Sequence, residues 1–128
     1  MRLLLDTCTF LWWIAGDEVV PPGARELIAD PANEAYVSAV SCWEIAVKHA
    51  LGRLPLPEAP QRFVPRERIR HGLASLALDE ASTLHLHRLP GLHRDTFDRM
   101  LVCQAIEHGM TLVTPDSLIT QYPVRSAW

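Results

Sequence analysis

Four carboxylates stand where an isolated charge is expensive. Asp6 ends the run Leu3-Leu4-Leu5, and Asp116 follows Leu112-Val113-Thr114-Pro115. Glu44 has Val40, Val47 and Leu51 four residues before and three and seven after it. Asp98 has Leu101, Val102 and Ala105 three, four and seven residues after it. At helical spacing such apolar neighbours form a face that packs inward, and a bare buried carboxylate is costly. Acids converging on one point repel each other, and a bound cation relieves the repulsion. Hard oxygen ligands select Mg²⁺ or Mn²⁺ rather than zinc. Such a site suits phosphodiester hydrolysis, with one ion activating water and offsetting phosphate charge and a second assisting the leaving group.

Each acid also has a simpler explanation. Asp6 can N-cap the helix that follows it. Glu44 completes Ser41-Cys42-Trp43-Glu44, a capping-box pattern, and Lys48 four residues on can pair with it. Asp98 can complement the dipole of a helix first turn, and Asp116 can start a helix after Thr114-Pro115. The case for chemistry rests on convergence: in open parallel sheets, the crevice beyond the carboxyl ends of the strands is where such groups meet.

The pattern of elements supplies that crevice. Residues 2–5 read as a buried strand, followed by a helix through Phe10, Leu11, Trp13 and Ile14 that ends at Gly16-Asp17. Pro21-Pro22 opens a second helix with Ala24, Leu27 and Ile28 as its apolar stripe. A turn at Asp30–Asn33 leads to a strand over 35–38. A helix over 40–51 stops at Gly52, and an extended, proline-rich connection leads to a helix over 61–71. That helix carries Phe63 and Ile69 on one side and a run of arginines, read as a solvated face. A strand over 73–78, a short helix over 80–86, a helix over 96–108 closed by Gly109 and a strand over 111–114 complete the order. One more helical turn follows Asp116. Strands alternating with helices imply a parallel α/β sheet covered on both faces, within a single domain over 1–128.

With 48% hydrophobic and 21% charged residues, the chain has an ordinary globular composition. Cys8, Cys42 and Cys103 are odd in number and form no C-x-x-C pair. That pattern favours a reducing, cytoplasmic setting over a disulfide framework or structural zinc. Cys42 and Cys103 read as small core residues, and Cys8 is the only thiol with a case for reactivity. No apolar run approaches the roughly 20 residues of a membrane span, and the first residues lack the pattern of a signal peptide. The net charge of −3 argues against tight passive binding to nucleic acid, which usually draws on a basic excess. It is compatible with an enzyme whose acids are neutralised by bound metal. His85, His87 and His93 lack zinc-site spacing and read as surface or polar-network residues. Trp12 and Trp13 read as packing residues of a core or dimer face. Arg94 and Arg99 flank Asp98, where they can contact phosphate or pair with acids.

Several segments resemble PIN-domain toxins of the VapC type. They are Leu3-Leu4-Leu5-Asp6-Thr7…Leu11-Trp12-Trp13, Ser38-Ala39-Val40-Ser41-Cys42-Trp43-Glu44-Ile45…Lys48, His93-Arg94-Asp95-Thr96-Phe97-Asp98-Arg99-Met100-Leu101 and Leu112-Val113-Thr114-Pro115-Asp116. The likeness runs from residue 2 to the C-terminus with motif order and spacing kept. It implies a three-layer α/β/α sandwich around a mainly parallel sheet of four or five strands. It also implies Mg²⁺-dependent endoribonuclease activity in a toxin–antitoxin module, a small antitoxin protein as inhibitor, and a homodimer. Asp6, Glu44 and Asp98 match the core acids and Asp116 the more variable fourth. Thr7 and Thr114 stand beside acids, where they can hold water or phosphate, with Lys48 and Arg99 as secondary residues. Cys8 stands where similar sequences often have histidine, and Thr96 where they often have proline; neither departure removes a carboxylate.

Three other readings compete. An aspartyl-phosphate phosphatase would use Asp6 as nucleophile but needs an acid two residues on, where Cys8 stands. A pure binding module would need no acid cluster. A structure-specific DNA nuclease would use the same ions, and these residues do not separate DNA from RNA.

Overall fold

Leu3, Leu4 and Leu5 are all fully buried, yet they do not enter the same core. Successive side chains of a strand point to opposite faces. Leu3 and Leu5 therefore join a cluster with Phe10, Ala24, Ile45, Phe63 and Val64. Leu4 joins a second cluster with Met100, Leu101, Ala105, Leu112 and Ile119. A strand buried on both sides reads as a continuous apolar run, which is why residues 2–5 show no alternation in sequence.

The computed structural model describes residues 1–128. Strand β1 (Arg2–Leu5) leads into helices α1 (Thr7–Ala15) and α2 (Pro22–Ala29) and strand β2 (Glu34–Ser38). Helices α3 (Ala39–Ala50) and α4 (Pro60–Arg70), strand β3 (Ala74–Leu76) and the short helix α5 (Glu80–Leu84) follow. The chain ends with α6 (Thr96–His108), β4 (Thr111–Val113) and β5 (Ser126–Ala127), with 3₁₀ turns at His85–Arg88 and Ile119–Gln121. The sheet is five-stranded in the order β3-β2-β1-β4-β5, and every pairing is parallel. Helices α1, α2 and α4 cover one face and α6 the other. This is the expected α/β/α sandwich.

Consecutive strands step outward from β1 to β2 to β3, and the chain then crosses to the other side of β1 to form β4 and β5. The order therefore reverses between β1 and β4. Leu5 pairs with Val113 at the carboxyl ends of these strands, and the Asp6 amide donates to the Val113 carbonyl at 3.2 Å. A switch point of this kind opens a crevice above the sheet. Helix α3 starts directly from the end of β2, and α6 packs against α3, so both reach the same rim. Gln104 of α6, fully buried, fixes that packing. Its Oε1 accepts from the Ser38 hydroxyl at the β2–α3 junction, and its Nε2 donates to the Ala77 carbonyl beyond β3 at 3.2 Å.

Several details differ from the sequence reading. The third strand covers Ala74–Leu76 rather than 73–78, and Leu78 is exposed. The helix expected over 80–86 ends at Leu84 and tightens into a 3₁₀ turn. The Ser41–Glu44 capping box does not form. Helix α3 starts a turn earlier, and the Ser38 hydroxyl accepts from the Val40 amide at 2.9 Å. Ile69 is exposed, and α4 buries Phe63 and Val64 instead. Trp12, Trp13 and Leu27 pack against the first core and stay partly exposed.

Candidate active site

Asp6 stands between β1 and α1 because its extended backbone ends the strand while its side chain caps the helix. Its Oδ1 accepts from the Thr9 amide at 2.8 Å. Its other oxygen, Oδ2, accepts from the Thr114 hydroxyl at 2.6 Å, which ties β1 to the segment after β4. The capping explanation is therefore correct for one oxygen only. The carboxyl is 5% exposed, and burial raises its pKa above the ordinary 3.8 against the lowering effect of the Thr114 and Thr9 hydrogen bonds; Glu44 adds a smaller upward push.

Glu44 is 3% exposed, beside the buried Val40; of the other residues expected on its face, Val47 is half-buried and Leu51, the C-cap beyond the helix, is exposed. The Thr7 hydroxyl donates to its Oε1 at 2.6 Å and lies 2.9 Å from the Ser41 hydroxyl. Lys48 pairs with Oε2 one turn along α3. That ion pair was one of the simpler explanations, and it is present. Lys48 keeps 42% of its side chain open to solvent and pairs with Glu44 alone among the four acids.

Asp98 lies in the first turn of α6. The residues on its side, Leu101, Val102 and Ala105, are buried. Asp95 is the N-cap, its Oδ1 accepting from the Asp98 amide at 3.1 Å. Burial pushes the Asp98 carboxyl up to about 7, with further upward pushes from Asp95, Glu44 and Asp6 and a downward one from His93. Asp116 follows β4. The Thr114 hydroxyl accepts from its amide at 3.1 Å, and its Oδ1 accepts from the Leu118 amide at 2.8 Å. This is an Asx-type turn ahead of the 3₁₀ turn, whose N-cap is Leu118 without a side-chain bond, so Asp116 does not take the helix-start role read in the sequence.

The structure thus draws the four acids together in two adjacent hydrogen-bonded groups, Glu44 with Thr7, Ser41 and Lys48, and Asp6, Asp98 and Asp116 through Thr114 and His93. Thr7 bonds Glu44 beside Asp6, and Thr114 joins Asp6 to Asp116. His93 joins Asp116 to Asp98, its Nε2 lying 3.0 Å from Asp98 Oδ2 and 3.2 Å from Asp116 Oδ2. The threonines thus bond the acids and hold their geometry, beyond standing beside them. Arg99 is not drawn in. It forms no ion pair with the acids, and its Nε is buried without a hydrogen-bond partner. Cys8 is exposed, but desolvation of its thiol and the neighbouring Asp6 and Glu44 push it up to about 11, against the thiolate that a reactive cysteine needs.

His93 is the site residue that sequence reasoning placed only in a polar network. No periodicity marks it, because it stands in a loop. Its placement depends on a contact 29 residues away, where the buried Tyr122 hydroxyl accepts from its amide at 2.8 Å.

The donor set suits a divalent cation. Carboxylate oxygens are hard ligands, and burial together with mutual repulsion lifts Asp6 and Asp98 in a way that a bound cation would relieve. The acids line none of the four cavities of the molecule. The largest, about 490 Å³, lies at the opposite end of the sheet, between Ile28, Asn33, His71 and Leu73. The acid cluster is an open rim rather than an enclosed pocket.

A family model described as the PIN domain matches residues 3–124. Ribonuclease VapC16 of Mycobacterium tuberculosis is 41% identical over 61 residues, a match covering 48% of this chain and 43% of that protein. The chain thus spans less than half the length of that curated relative. Among solved structures, VapBC2 of Rickettsia felis bound to a DNA fragment from its promoter superposes with a TM-score of 0.72 at 18% identity, covering 100% of this chain and 99% of that one. DNA-bound VapBC of Salmonella typhimurium gives a TM-score of 0.69 at 20% identity, covering 99% and 97%. At these identities the structural likeness shows the fold.

Proposed function

The chain belongs to the PIN-domain family, and from that premise we propose that it is a divalent-metal-dependent endoribonuclease acting as the toxin of a toxin–antitoxin pair. The observation that carries this reading is the meeting of Asp6, Asp98 and Asp116 around Thr114 and His93 on one rim, with Glu44 beside them and with Asp98 set among like charges. The Asp98 carboxyl is lifted to about 7 by burial and by Asp95, Glu44 and Asp6, as in a site built for a charge the chain itself does not supply. Asp6, Glu44, Asp98 and Asp116 would hold Mg²⁺ or Mn²⁺. Bound there, the ion would lower the pKa of a water and offset charge developing on the phosphate.

The protein's own groups account for the rest. Thr114 and the Thr9 amide hold Asp6, Thr7 and Lys48 hold Glu44, and the α6 N-terminus sets Asp98 beside them. Lys48 in this reading is a charge partner of Glu44 rather than a substrate contact. The open rim suits a phosphodiester within a polymer better than a small substrate, which an enclosed pocket would bury. The phosphatase reading loses support. Both oxygens of Asp6 are engaged by protein donors, which blunts it as a nucleophile, and the thiol of Cys8 is no acid–base partner.

The relatives named VapBC suggest an antitoxin partner here too. An inhibitor's Arg or Lys would find a complementary surface at the acids of the open rim. A homodimer is part of the same reading. No helix is long and apolar enough to cross a membrane, and a cytoplasmic setting fits the sparse, unpaired cysteines. The purified protein, incubated with a panel of RNA and DNA substrates, should cleave RNA with Mg²⁺ or Mn²⁺ and stop with EDTA. Full activity in EDTA would remove the metal mechanism, and cleavage of DNA alone would replace the substrate.

A further inference from the structure

His93, Asp98 and Asp116 place one potential ligand atom each within 4.8 Å of one another. The set looks like three ligands to one ion, but the hydrogen bonds of the imidazole argue for a different division of labour. Its Nδ1 faces the Asp95 backbone amide at 3.3 Å. An amide N–H only donates, so Nδ1 accepts, and the ring hydrogen is on Nε2. That Nε2–H points between Asp98 Oδ2 and Asp116 Oδ2. A nitrogen presenting its hydrogen to two carboxylates has no lone pair free for a cation.

The Asp95 amide holds the ring at Nδ1, and the Tyr122 hydroxyl, accepting from the His93 backbone amide, holds the main chain that carries it. The ring cannot swing to offer the other nitrogen without losing the first of these contacts. Asp116 spends its second oxygen on the Leu118 amide, whereas Asp98 keeps Oδ1 clear of side-chain partners. The two acids come from different elements, the start of α6 and the segment after β4, and carry like charge. Without a donor between them they would spread apart.

We propose that His93 is a positioning residue of the metal site, an Nε2–H donor that clamps Asp98 to Asp116 at a spacing a divalent cation can use, and not itself a ligand. This rests on the reading of the acid cluster as a divalent-metal site. Hydrogen-bond partners of ligating carboxylates orient them, and their loss typically costs about 10–100-fold in metal affinity or activity.

The test is Mn²⁺ binding to the full chain, followed by the electron paramagnetic resonance of the free ion, in wild type, His93→Gln and His93→Phe. Glutamine presents an amide N–H near the position of Nε2, whereas phenylalanine keeps the ring shape without a donor. His93→Phe should bind Mn²⁺ about 10–100-fold more weakly, and His93→Gln should recover most of the loss. Imidazole ¹⁵N spectra of the wild type should show the hydrogen still on Nε2 when Mg²⁺ is added. A His93→Phe variant that binds as tightly as wild type, or more tightly, overturns the clamp. So does transfer of the ring hydrogen to Nδ1 on adding Mg²⁺, which would make His93 a ligand. Absence of Mn²⁺ binding by the wild type removes the metal-site reading along with the clamp, whereas wild-type binding with no loss in the variants removes the clamp alone. Because the ¹⁵N measurement uses the wild-type protein, a misfolded variant would not shelter the idea.

Discussion

The acid cluster has an inner and an outer half, and they are built on different principles. Asp6 and Glu44 are nearly sealed from solvent, and each of their four oxygens meets a donor of the chain. Asp98 and Asp116 keep 19% and 32% of their side chains open and share one imidazole. The inner pair is fixed by folding and serves as scaffold and charge together. The outer pair is more open and leans on fewer donors, with Asp98 Oδ1 clear of side-chain partners. A buried carboxylate with all its partners is cheap to keep and slow to change, so the adjustable part of the site should be the rim.

Replacing one acid of the outer half should separate chemistry from stability most sharply. Asp98→Asn should abolish RNA cleavage, a loss on the order of 10³-fold or more for several kcal/mol of transition-state charge stabilisation. The same change should leave melting unharmed or improved. The sign follows from the raised carboxyl. Its protonated form is favoured in the fold, so its contribution to stability is present below the ordinary value of 3.8 and is lost as pH rises through about 7. Asp6 shifts in the same direction. In EDTA, the melting temperature of wild type should therefore fall between pH 4 and pH 8 more than that of Asp98→Asn, and the variants should cross. Parallel melting curves across that range would mean that Asp98 carries no unrelieved charge.

The inner half should respond in the opposite sense. Lys48→Met leaves the buried Glu44 short of a partner and should cost about 1–3 kcal/mol of stability by chemical denaturation. An unchanged denaturation midpoint would show that Thr7 alone satisfies Glu44 and that the two halves are less distinct than the geometry suggests.

The smallest effect belongs to Asp95, outside both halves. Asp95→Ala removes the α6 cap and should cost about 1 kcal/mol while leaving cleavage nearly intact. A stable but inactive Asp95→Ala protein would place Asp95 in the chemistry and move the boundary of the outer half.

What could be read from the sequence follows the same division. The inner acids announce themselves because burial and helix period are local signals. Leu3–Leu5 run straight into Asp6, and Val40 and Val47 share the side of Glu44, whereas Leu51, beyond the helix end, is exposed. The α6 phase that separates Asp98 from Asp95 is legible for the same reason. His93 is not, since its place depends on Tyr122 and on two acids brought near only by the fold. Strand β5 escapes for a related reason: Ser126–Ala127 has no pattern of its own and exists through pairing with β4 at the sheet edge. The Ser41–Glu44 capping box was a local signal that lost to another, since Ser38 caps the helix a turn earlier.

Gln104 bears on all of this through tolerance to positional error. Helix α6 touches its neighbours mainly through aliphatic side chains, and an aliphatic surface resists sliding only weakly. A slip of one residue would move Asp98 by about 1.5 Å and turn it through about 100°, which carries it off the rim. The Gln104 amide has a sense of direction that leucine lacks, with its oxygen toward Ser38 and its nitrogen toward Ala77. It works as a key in a lock of one pitch, setting the register of α6 against the β2–α3 junction from which Glu44 projects. An apolar residue of equal volume could fill the same space and keep the protein folded while letting two acids on two helices lose their common datum.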